Sequence, residues 1–361
     1  MNFEKNNIPV GLAPKLEASK ETFPAVEVKN HVLYVNPDID FPFDMKVGQA
    51  TNLGLFVTDQ VQAGQKSRDV EVKIHHGRTA LLGRIVFGGR GGGTEKELYR
   101  DVDIKGLGYI ETGLPELNRS PTASVKDVKI QHQNPEKAWG ILNSEDAFRD
   151  KDCTEMFREY GIRTHGVIAI IALEEIIHQG KKISITEAKS LGLIPENSDP
   201  VLEVRAFGTH ARLKDVHFDS FTELSLDTTS RAKRNLLVED ARLLLAQELG
   251  VDPEDFGAKQ HYRWLAKTVG KSLGLMHKHG WIHSYLREGH NITLDGRIID
   301  FESAKYVGPE SAQNFQDEFN AAFVSLQTFL SASELRYPMH RDLVEEILKE
   351  FEDSYGENKS N

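Results

Sequence analysis

Cysteine is almost absent from the sequence, which contains only Cys153 among its 361 residues. An internal disulfide and a zinc site built from several thiolates are therefore excluded. Long apolar runs are absent too: the longest, Val167 to Leu173, is far shorter than the roughly 18 residues that a membrane-spanning helix needs. The first residues lack the basic start and apolar stretch of a secretory signal. These absences predict a protein of the reducing cytoplasm without a membrane partner.

Basic residues are in the minority. Lys and Arg total 44 against 55 Asp and Glu, which gives a formal net charge of −11 at pH 7. Nonspecific binding to nucleic acid needs a positive surface, so we predict that nucleic acid is not a partner. The overall balance still permits a local basic pocket for the phosphates of a nucleotide.

Strand-like and helical patterns occupy different parts of the chain. Polar and apolar residues alternate from Asp101 to Lys105, so we predict a strand on which Lys105 and Asp103 share a face. A helix is predicted to begin at Ser144, a favourable N-cap, and to run to about Tyr160. In the second half the spacing of apolar residues is mainly helical.

This order, strands first and helices later, predicts an α+β fold of two lobes around a cleft. We place a strand-rich N-lobe with an N-terminal extension at residues 1–200, and a mostly helical C-lobe at residues 201–361. The arrangement is typical of protein kinases, which bind a nucleotide between the lobes.

Two oxygen-bearing side chains in the C-terminal half are spaced like a metal site. Asn291 follows a loop, and Asp300 stands at the far end of a predicted β-hairpin whose turn is Asp295-Gly296. Protein kinases place an Asn after the catalytic loop and an Asp beyond the next hairpin. Both side chains offer the oxygen ligands that Mg²⁺ prefers, so we predict that Asn291 and Asp300 hold Mg²⁺ or Mn²⁺ against a triphosphate.

Short polar and glycine-containing segments stand along the chain from about residue 71 to 305. They are His76-Gly77-Arg78-Thr79-Ala80-Leu81-Leu82-Gly83, Asp103-Ile104-Lys105-Gly106-Leu107-Gly108, Arg149-Asp150 with Glu155, Gly161-Ile162-Arg163-Thr164 and Val204-Arg205-Ala206-Phe207-Gly208-Thr209-His210-Ala211-Arg212. Together with the Asn–Asp pair they resemble the selenoprotein-O-like pseudokinases, a family that transfers AMP to proteins. The resemblance implies a protein-kinase-like bilobal fold, bound ATP, and metal-dependent transfer of AMP to a Ser, Thr or Tyr hydroxyl of a protein or peptide.

The resemblance also implies roles for a lysine and its surroundings. Lys105 would neutralise phosphate oxygens of ATP, and Glu155 would pair with its ammonium group and fix it in place. Gly106 and Gly108 would lie against the nucleotide. Without the resemblance, Lys105 would be interpreted as a solvated strand lysine and Glu155 as a surface glutamate of a helix.

Two arginines complete the implied nucleotide site. In this family the nucleotide lies reversed relative to ordinary kinases, so Arg205 and Arg212 would grip a buried γ-phosphate. Bidentate guanidinium contacts suit a phosphate that is held rather than transferred. The α-phosphate is then the exposed electrophile, and pyrophosphate leaves. One straight strand would put the two side chains on opposite faces, so we predict a bend at Gly208. The alternative is a pair of surface arginines in ordinary salt bridges.

The position of the catalytic base departs from both kinases and this family. Kinases have an Asp two residues after the loop histidine, but Tyr285 stands at that distance from His283. The family usually carries an Asp directly before the metal-binding Asn, where this chain has His290. Imidazole has a reference pKa of about 6.5 and accepts a proton near neutrality, so His290 is the predicted base. A loop histidine that bonds the backbone is the alternative.

Two other functions are compatible with the same residues. One is kinase-like phosphoryl transfer to a small molecule or peptide, which leaves Arg205 and Arg212 without a clear task. The other is a noncatalytic nucleotide-binding pseudokinase, which the replacement of the usual base by His290 favours.

Overall fold

The computed structural model describes residues 20–42, 44–58, 60–73, 79–90, 96–108, 140–216, 228–334 and 341–360. Its strands are β1 (Lys20–Glu27), β2 (Asn30–Val35), β3 (Leu55–Val57), β4 (Ser67–Lys73), β5 (Thr79–Arg90), β6 (Lys96–Lys105), β7 (Leu142–Asn143), β8 (Gly166–Leu173), β9 (Glu175–His178), β10 (Lys181–Ser184), β11 (Pro200–Phe207), β12 (Trp281–Ile282) and β13 (Lys305–Tyr306). Its helices are α1 (Ser144–Glu159), α2 (Ile185–Ser190), α3 (Thr228–Leu249), α4 (Ala258–Lys278), α5 (Ala312–Glu334) and α6 (Arg341–Ser360). Within these ranges, none of the helices has the length and apolar character needed to cross a membrane. The segment 76–78 of the family-like pattern lies outside them.

Nine of the described strands form one antiparallel sheet in the order β2-β8-β11-β6-β5-β4-β1-β3, with β7 also paired to β11. Strand β8 is buried along almost its whole length, which agrees with its continuous apolar sequence. The prediction of a mixed α+β fold, with most strands before most helices, is confirmed. The sheet continues to Phe207, past the predicted boundary at residue 200.

Apolar side chains form two large buried clusters. One belongs to the sheet and includes Ile104, Leu202 and Val204. The other lies among the helices and includes Leu265 and Phe301. Side chains alternate in direction along a strand. The charged neighbours of Ile104 and Val204 on β6 and β11 therefore point away from the sheet cluster.

Helix α1 confirms the helix predicted from Ser144 to about Tyr160. The predicted cap was wrong by one residue, because Ser144 is already helical and the cap position is Asn143. The side chain of Asn143 accepts the backbone N–H of Asp199 at 2.9 Å instead of capping the helix. Gly161 follows with a φ of 80°, the left-handed conformation that commonly ends a helix.

Helix α3 is attached to the sheet by buried ionic contacts. Arg84 of β5 and Arg100 of β6 both bind the carboxylate of Asp240, at shortest distances of 2.9 and 2.7 Å. Farther along α3, Oε2 of Glu248 accepts the backbone N–H of Leu98 at 3.0 Å. These contacts hold the start of β6 in place, and the other end of β6 carries Lys105.

Candidate active site

Strands β6 and β11 present a row of charged side chains on the face opposite the sheet cluster. In their antiparallel register Glu203 lies across from Lys105, and Arg205 lies across from Asp103. The predicted shared face of Lys105 and Asp103 is confirmed, because Ile104 between them belongs to the sheet cluster. All four charged residues are buried, so this face is covered by protein rather than by solvent.

The hairpin predicted around Asp295-Gly296 is present as a tight turn. The backbone N–H of Ile299 donates to the carbonyl oxygen of Asn291 at 3.1 Å, which places Asn291 beside the end of the turn. Asp300 follows with φ 64° and ψ 59°, a left-handed conformation that is unusual for a residue other than glycine. Phe301 begins a short 3-10 turn, and the two arms of the hairpin are joined by an isolated bridge between Ile292 and Ile298 rather than by full strands.

The carboxylate of Asp300 is shared by three cationic side chains. Nζ of Lys105 lies 3.4 Å from Oδ1, Nη2 of Arg212 lies 3.2 Å from Oδ2, and Nη1 of Arg205 donates to Oδ1. Burial alone would raise the pKa of Asp300, but the three cations outweigh it and hold that pKa well below its ordinary value. The carboxylate is therefore ionised at neutral pH.

Asn291 and Asp300, the two predicted metal ligands, are joined by Arg212. Nη1 of Arg212 donates to Oδ1 of Asn291 at 3.3 Å, while its Nη2 reaches Asp300. The same Nη1 donates to the carbonyl oxygen of His290 at 2.8 Å. The amide nitrogen of Asn291 donates to the carbonyl oxygen of Tyr285 at 3.0 Å, so Oδ1 is the atom turned toward the carboxylate.

The structure brings Arg205 and Arg212 to the same carboxylate, that of Asp300, and their contact with a phosphate stays a prediction. The guanidinium of Arg205 is fixed from behind by two hydrogen bonds to Asp103, at 3.0 and 2.9 Å. Gly208, the predicted bend, follows the end of β11 directly. A Cβ at this glycine would collide with the side chain of Asp295 in the hairpin turn, so glycine is needed there for a close approach of two segments.

Glu155 is the predicted site residue that the structure does not bring to Lys105. Nζ of Lys105 donates to Oε2 of Glu302 at 2.8 Å. Glu155 accepts the hydroxyl of Tyr34 at 2.5 Å and Nζ of Lys151 at 3.2 Å. Its side chain is also 39% exposed. Among the described residues, the partner expected from Glu155 is therefore supplied to Lys105 by Glu302.

Asp150 is the acidic residue of α1 that faces the site. Its Oδ1 accepts the backbone N–H of Phe301 at 2.6 Å, and its Oδ2 lies 3.2 Å from Nε2 of His165. Burial raises the pKa of Asp150, but His165 and Lys105 more than offset this effect and lower it. Asp150 therefore remains an anion within electrostatic reach of Lys105.

The helical periodicity of α1 could have identified Asp150 from the sequence. The buried residues of this helix are Ala147, Asp150, Cys153, Thr154, Phe157 and Arg158. Most of them recur at the three- and four-residue intervals of one helix face. Glu155 falls outside this set and lies on the more exposed side.

Gly106 and Gly108 continue the chain from Lys105 with φ values of 100° and 89°. Such positive φ values favour glycine. A Cβ at Gly106 would lie 2.6 Å from the carbonyl oxygen of Val201, and a Cβ at Gly108 would meet the ring of Phe56. Both glycines thus have a backbone role, and their contact with a nucleotide stays a prediction.

The imidazole of His290 lies at the edge of the site. Nζ of Lys214 is 2.6 Å from its Nε2. An ammonium group can only donate, so Nε2 is the acceptor and the imidazole is unprotonated at that atom. A proton from a substrate could reach Nε2 only after Lys214 moves aside. The ring of Tyr285 lies 6.1 Å from that of His290.

The loop that precedes Asn291 is fixed by Glu318 of α5, a residue that the sequence patterns do not single out. Its carboxylate accepts the backbone N–H groups of His283 at 3.1 Å and Ser284 at 2.7 Å. Nε2 of His283 donates to the carbonyl oxygen of Ile299 at 2.7 Å. Helix α5 therefore fixes the position of this loop, and the hydrogen bond from His283 to Ile299 holds the loop beside the hairpin.

No protein-family model matches this chain, and no curated protein is similar to it at a significant level. In the part of the chain that the structure describes, no group of three or more His, Cys, Asp or Glu side chains is arranged to hold a metal ion.

Proposed function

We propose that this protein has a kinase-like bilobal fold, binds ATP with a divalent metal ion, and transfers AMP to a hydroxyl group of a protein. The observation that carries the proposal is the convergence of Lys105, Arg205 and Arg212 on Asp300, beside Asn291. If Asp300 turns to a metal ion, the three buried cations lose the anion that they share, and a triphosphate would replace it.

The topology supports the kinase-like part of the proposal. In kinases a lysine on a strand of the N-lobe and metal ligands on the opposite side of the cleft meet at the phosphates. Here Lys105 ends β6, which lies between β5 and β11 in the sheet. Its contact with Asp300 joins the sheet to the hairpin that follows α4. Helix α1 lies beside both, and Asp150 is bonded to the start of the 3-10 turn after Asp300.

The residues around Asp300 fit a hard divalent cation. Asp300 offers an ionised carboxylate and Asn291 an amide oxygen, and Mg²⁺ prefers oxygen ligands. Two protein ligands leave the remaining coordination to phosphate oxygens and water, which is typical of Mg²⁺ in nucleotide-dependent enzymes. When bound, the metal ion would neutralise charge on the phosphates. Mn²⁺ accepts the same types of ligand.

The burial of the two arginines supports AMP transfer over phosphate transfer. Arg205 is 1% exposed and Arg212 is 6% exposed, so a phosphate that they bind would be held deep in the site. An acceptor oxygen would attack the α-phosphorus, the bond from that phosphorus to the bridging oxygen would break, and pyrophosphate would leave. The hydroxyl proton would pass to Nε2 of His290 once Lys214 moves away.

A noncatalytic nucleotide-binding protein is the second candidate. The observation that favours it is the contact of 2.6 Å between Lys214 and Nε2 of His290, which occupies the lone pair of the proposed base. If Lys214 stays in place after ATP binds, the site would hold the nucleotide without a base for the acceptor hydroxyl.

The test uses ATP labelled at either the α- or the γ-phosphate, with Mg²⁺ or Mn²⁺ and cell lysate as a source of acceptor. Protein labelled only from the α position supports AMP transfer. Label only from the γ position would make the protein a kinase, and label from neither, together with measurable ATP binding, would favour the second candidate. Asp300→Ala should abolish labelling, whereas Asp353→Ala, an exposed acid on α6, should not.

A further inference from the structure

Glu203 is a buried carboxyl group that the proposed reaction does not use. It lies on β11 directly across from Lys105 of β6, and its exposure is 0%. Neither of its two carboxyl oxygens has a hydrogen-bond partner among the described residues. Buried polar groups without partners are rare, and each calls for a physical explanation.

Four charged groups act on Glu203, whereas its neighbour on β8 is the apolar Ile170. Asp150 faces it from α1, Lys105 from β6, Arg205 from its own strand, and Glu302 from the 3-10 turn after the hairpin. Burial raises the pKa of Glu203 well above its ordinary value, and Asp150 adds to the effect. The neighbouring Lys105 and Arg205 oppose the shift without cancelling it.

Binding of a metal ion at Asp300 would take one of its present partners from the ammonium group of Lys105. Its ammonium group now contacts Asp300 at 3.4 Å and Glu302 at 2.8 Å. A metal ion on Asp300 would compete with that ammonium group. Directly opposed residues of an antiparallel pair have Cβ atoms about 4.5–5.5 Å apart. The flexible lysine stem therefore keeps Glu203 within reach of Nζ.

We propose that Glu203 is a positioning residue for Lys105: it carries a proton in the free protein, and it releases that proton and pairs with the ammonium group when metal and nucleotide engage Asp300. The ligand-bound half of this inference rests on the proposed function. The proton passes to solvent, and the new ion pair of Lys105 and Glu203 holds the ammonium group beside the phosphates.

Proton release makes ATP binding pH-dependent in a way that depends on Glu203. Where Glu203 is protonated in the free protein and ionised in the complex, affinity should rise about tenfold for each pH unit. Glu203→Gln keeps the shape of the side chain but cannot titrate, so its affinity should vary less with pH. A Glu203 with a merely structural role would leave the two pH profiles parallel.

The experiment measures binding of ATP and Mg²⁺ by calorimetry in buffers of different ionisation enthalpy, at a pH where ATP is fully ionised. Wild type should release about one proton more than Glu203→Gln, and equal release overturns the inference. Infrared difference spectra of the wild type decide the matter if Glu203→Gln does not fold. The carbonyl band of a protonated carboxyl group should disappear when ATP and Mg²⁺ are added, and its persistence would overturn the inference.

If the protein binds no ATP, the proposed function is refuted. The inference about Glu203 is then tested on the protein without ligand. The double variant Asp300→Asn/Glu302→Gln removes the two carboxylates that Lys105 contacts at 3.4 and 2.8 Å. The ammonium group should turn to Glu203, and the infrared band of the protonated carboxyl group should be lost. A band that remains in this variant would overturn the inference whatever the protein binds.

Discussion

Replacement of Asp240 by Asn should loosen helix α3 from the sheet. The carboxylate of Asp240 accepts four hydrogen bonds, two from Arg84 at 3.2 and 2.9 Å and two from Arg100 at 3.1 and 2.7 Å. An asparagine keeps the shape but removes the charge, and it points an N–H₂ group at guanidinium donors. The buried Arg100 and the partly buried Arg84 would thereby lose one of the anions that they share.

The expected loss of folding stability depends on which anions remain near the two arginines. Removal of one partner of a buried ion pair typically costs about 3–5 kcal/mol. Asp101 stays within 3.3 Å of Nε of Arg84 and 3.1 Å of Nε of Arg100. The arginines are therefore not left without an anion, and we expect the lower end of that range, about 3 kcal/mol.

Urea unfolding, followed by circular dichroism, measures this loss. With a slope of about 3 kcal/mol per molar, the expected loss moves the midpoint by about 1 M. The control is Asp353→Asn on the exposed side of α6, which should change stability by less than about 0.5 kcal/mol. If Asp240→Asn is as stable as this control, the contacts of Asp240 do not stabilise the fold and the reasoning is refuted.

Three further predictions concern the site. His290→Ala should lower AMP transfer by about 10² to 10⁴ and leave ATP affinity unchanged, as measured by labelling and calorimetry; unchanged transfer would rule out His290 as the base. Arg212→Lys keeps a charge but loses the forked contact, so ATP should bind about 10- to 100-fold more weakly in a titration, and equal affinity would remove Arg212 from the phosphate site. Burial opposes but does not prevent the strong lowering of the pKa of Asp103 by Arg205 and His210. The resulting stabilisation is complete above the unfolded pKa of about 3.9 and is lost as pH falls through the folded value. The stability difference between wild type and Asp103→Asn should therefore shrink on acidification, and a constant difference in urea midpoints would contradict this assignment.

Local patterns in the sequence were sufficient to predict the strands and the turn that position the site. The alternation from Asp101 to Lys105 and the apolar run that forms β8 report how each segment lies against the core. The turn at Asp295-Gly296 likewise fixes the path from Asn291 to Asp300, because a short hairpin turn leaves the chain few alternatives. Each of these features is determined by residues that are close together in the sequence, so each could be predicted from the sequence alone.

The extent of the sheet beyond residue 200 and the burial of Glu203 depend on pairings that are distant in sequence. Asp103 and Arg205, which bond across β6 and β11, are 102 positions apart. A strand with Glu and Arg on one face would ordinarily be expected to expose that face to water. Here α1 and the turn after Asp300 cover it, and only the assembled structure shows that Glu203 lies inside with no hydrogen-bond partner among the described residues.

Two substitutions on α1 test which acid acts on Lys105. The structure indicates Asp150, whereas the sequence resemblance implies Glu155. Both changes, Asp150→Asn and Glu155→Gln, replace an acid with its amide on α1 and preserve size. Asp150 is buried and lies in the field of Lys105, whereas Glu155 is bonded to Tyr34 and Lys151 at the surface. Loss of a buried charge that acts on Lys105 should weaken AMP transfer about 10- to 100-fold in Asp150→Asn.

Glu155→Gln should retain the transfer rate within about twofold, since the contacts of Glu155 are partly exposed and do not include Lys105. The opposite result, a large loss only in Glu155→Gln, would mean that α1 moves when ATP binds and that Glu155 then turns to Lys105. Equal activity in both variants would show that neither acid positions the lysine. Lys105 would then be positioned by acids from segments outside the helix, among them Asp300, Glu302 and Glu203.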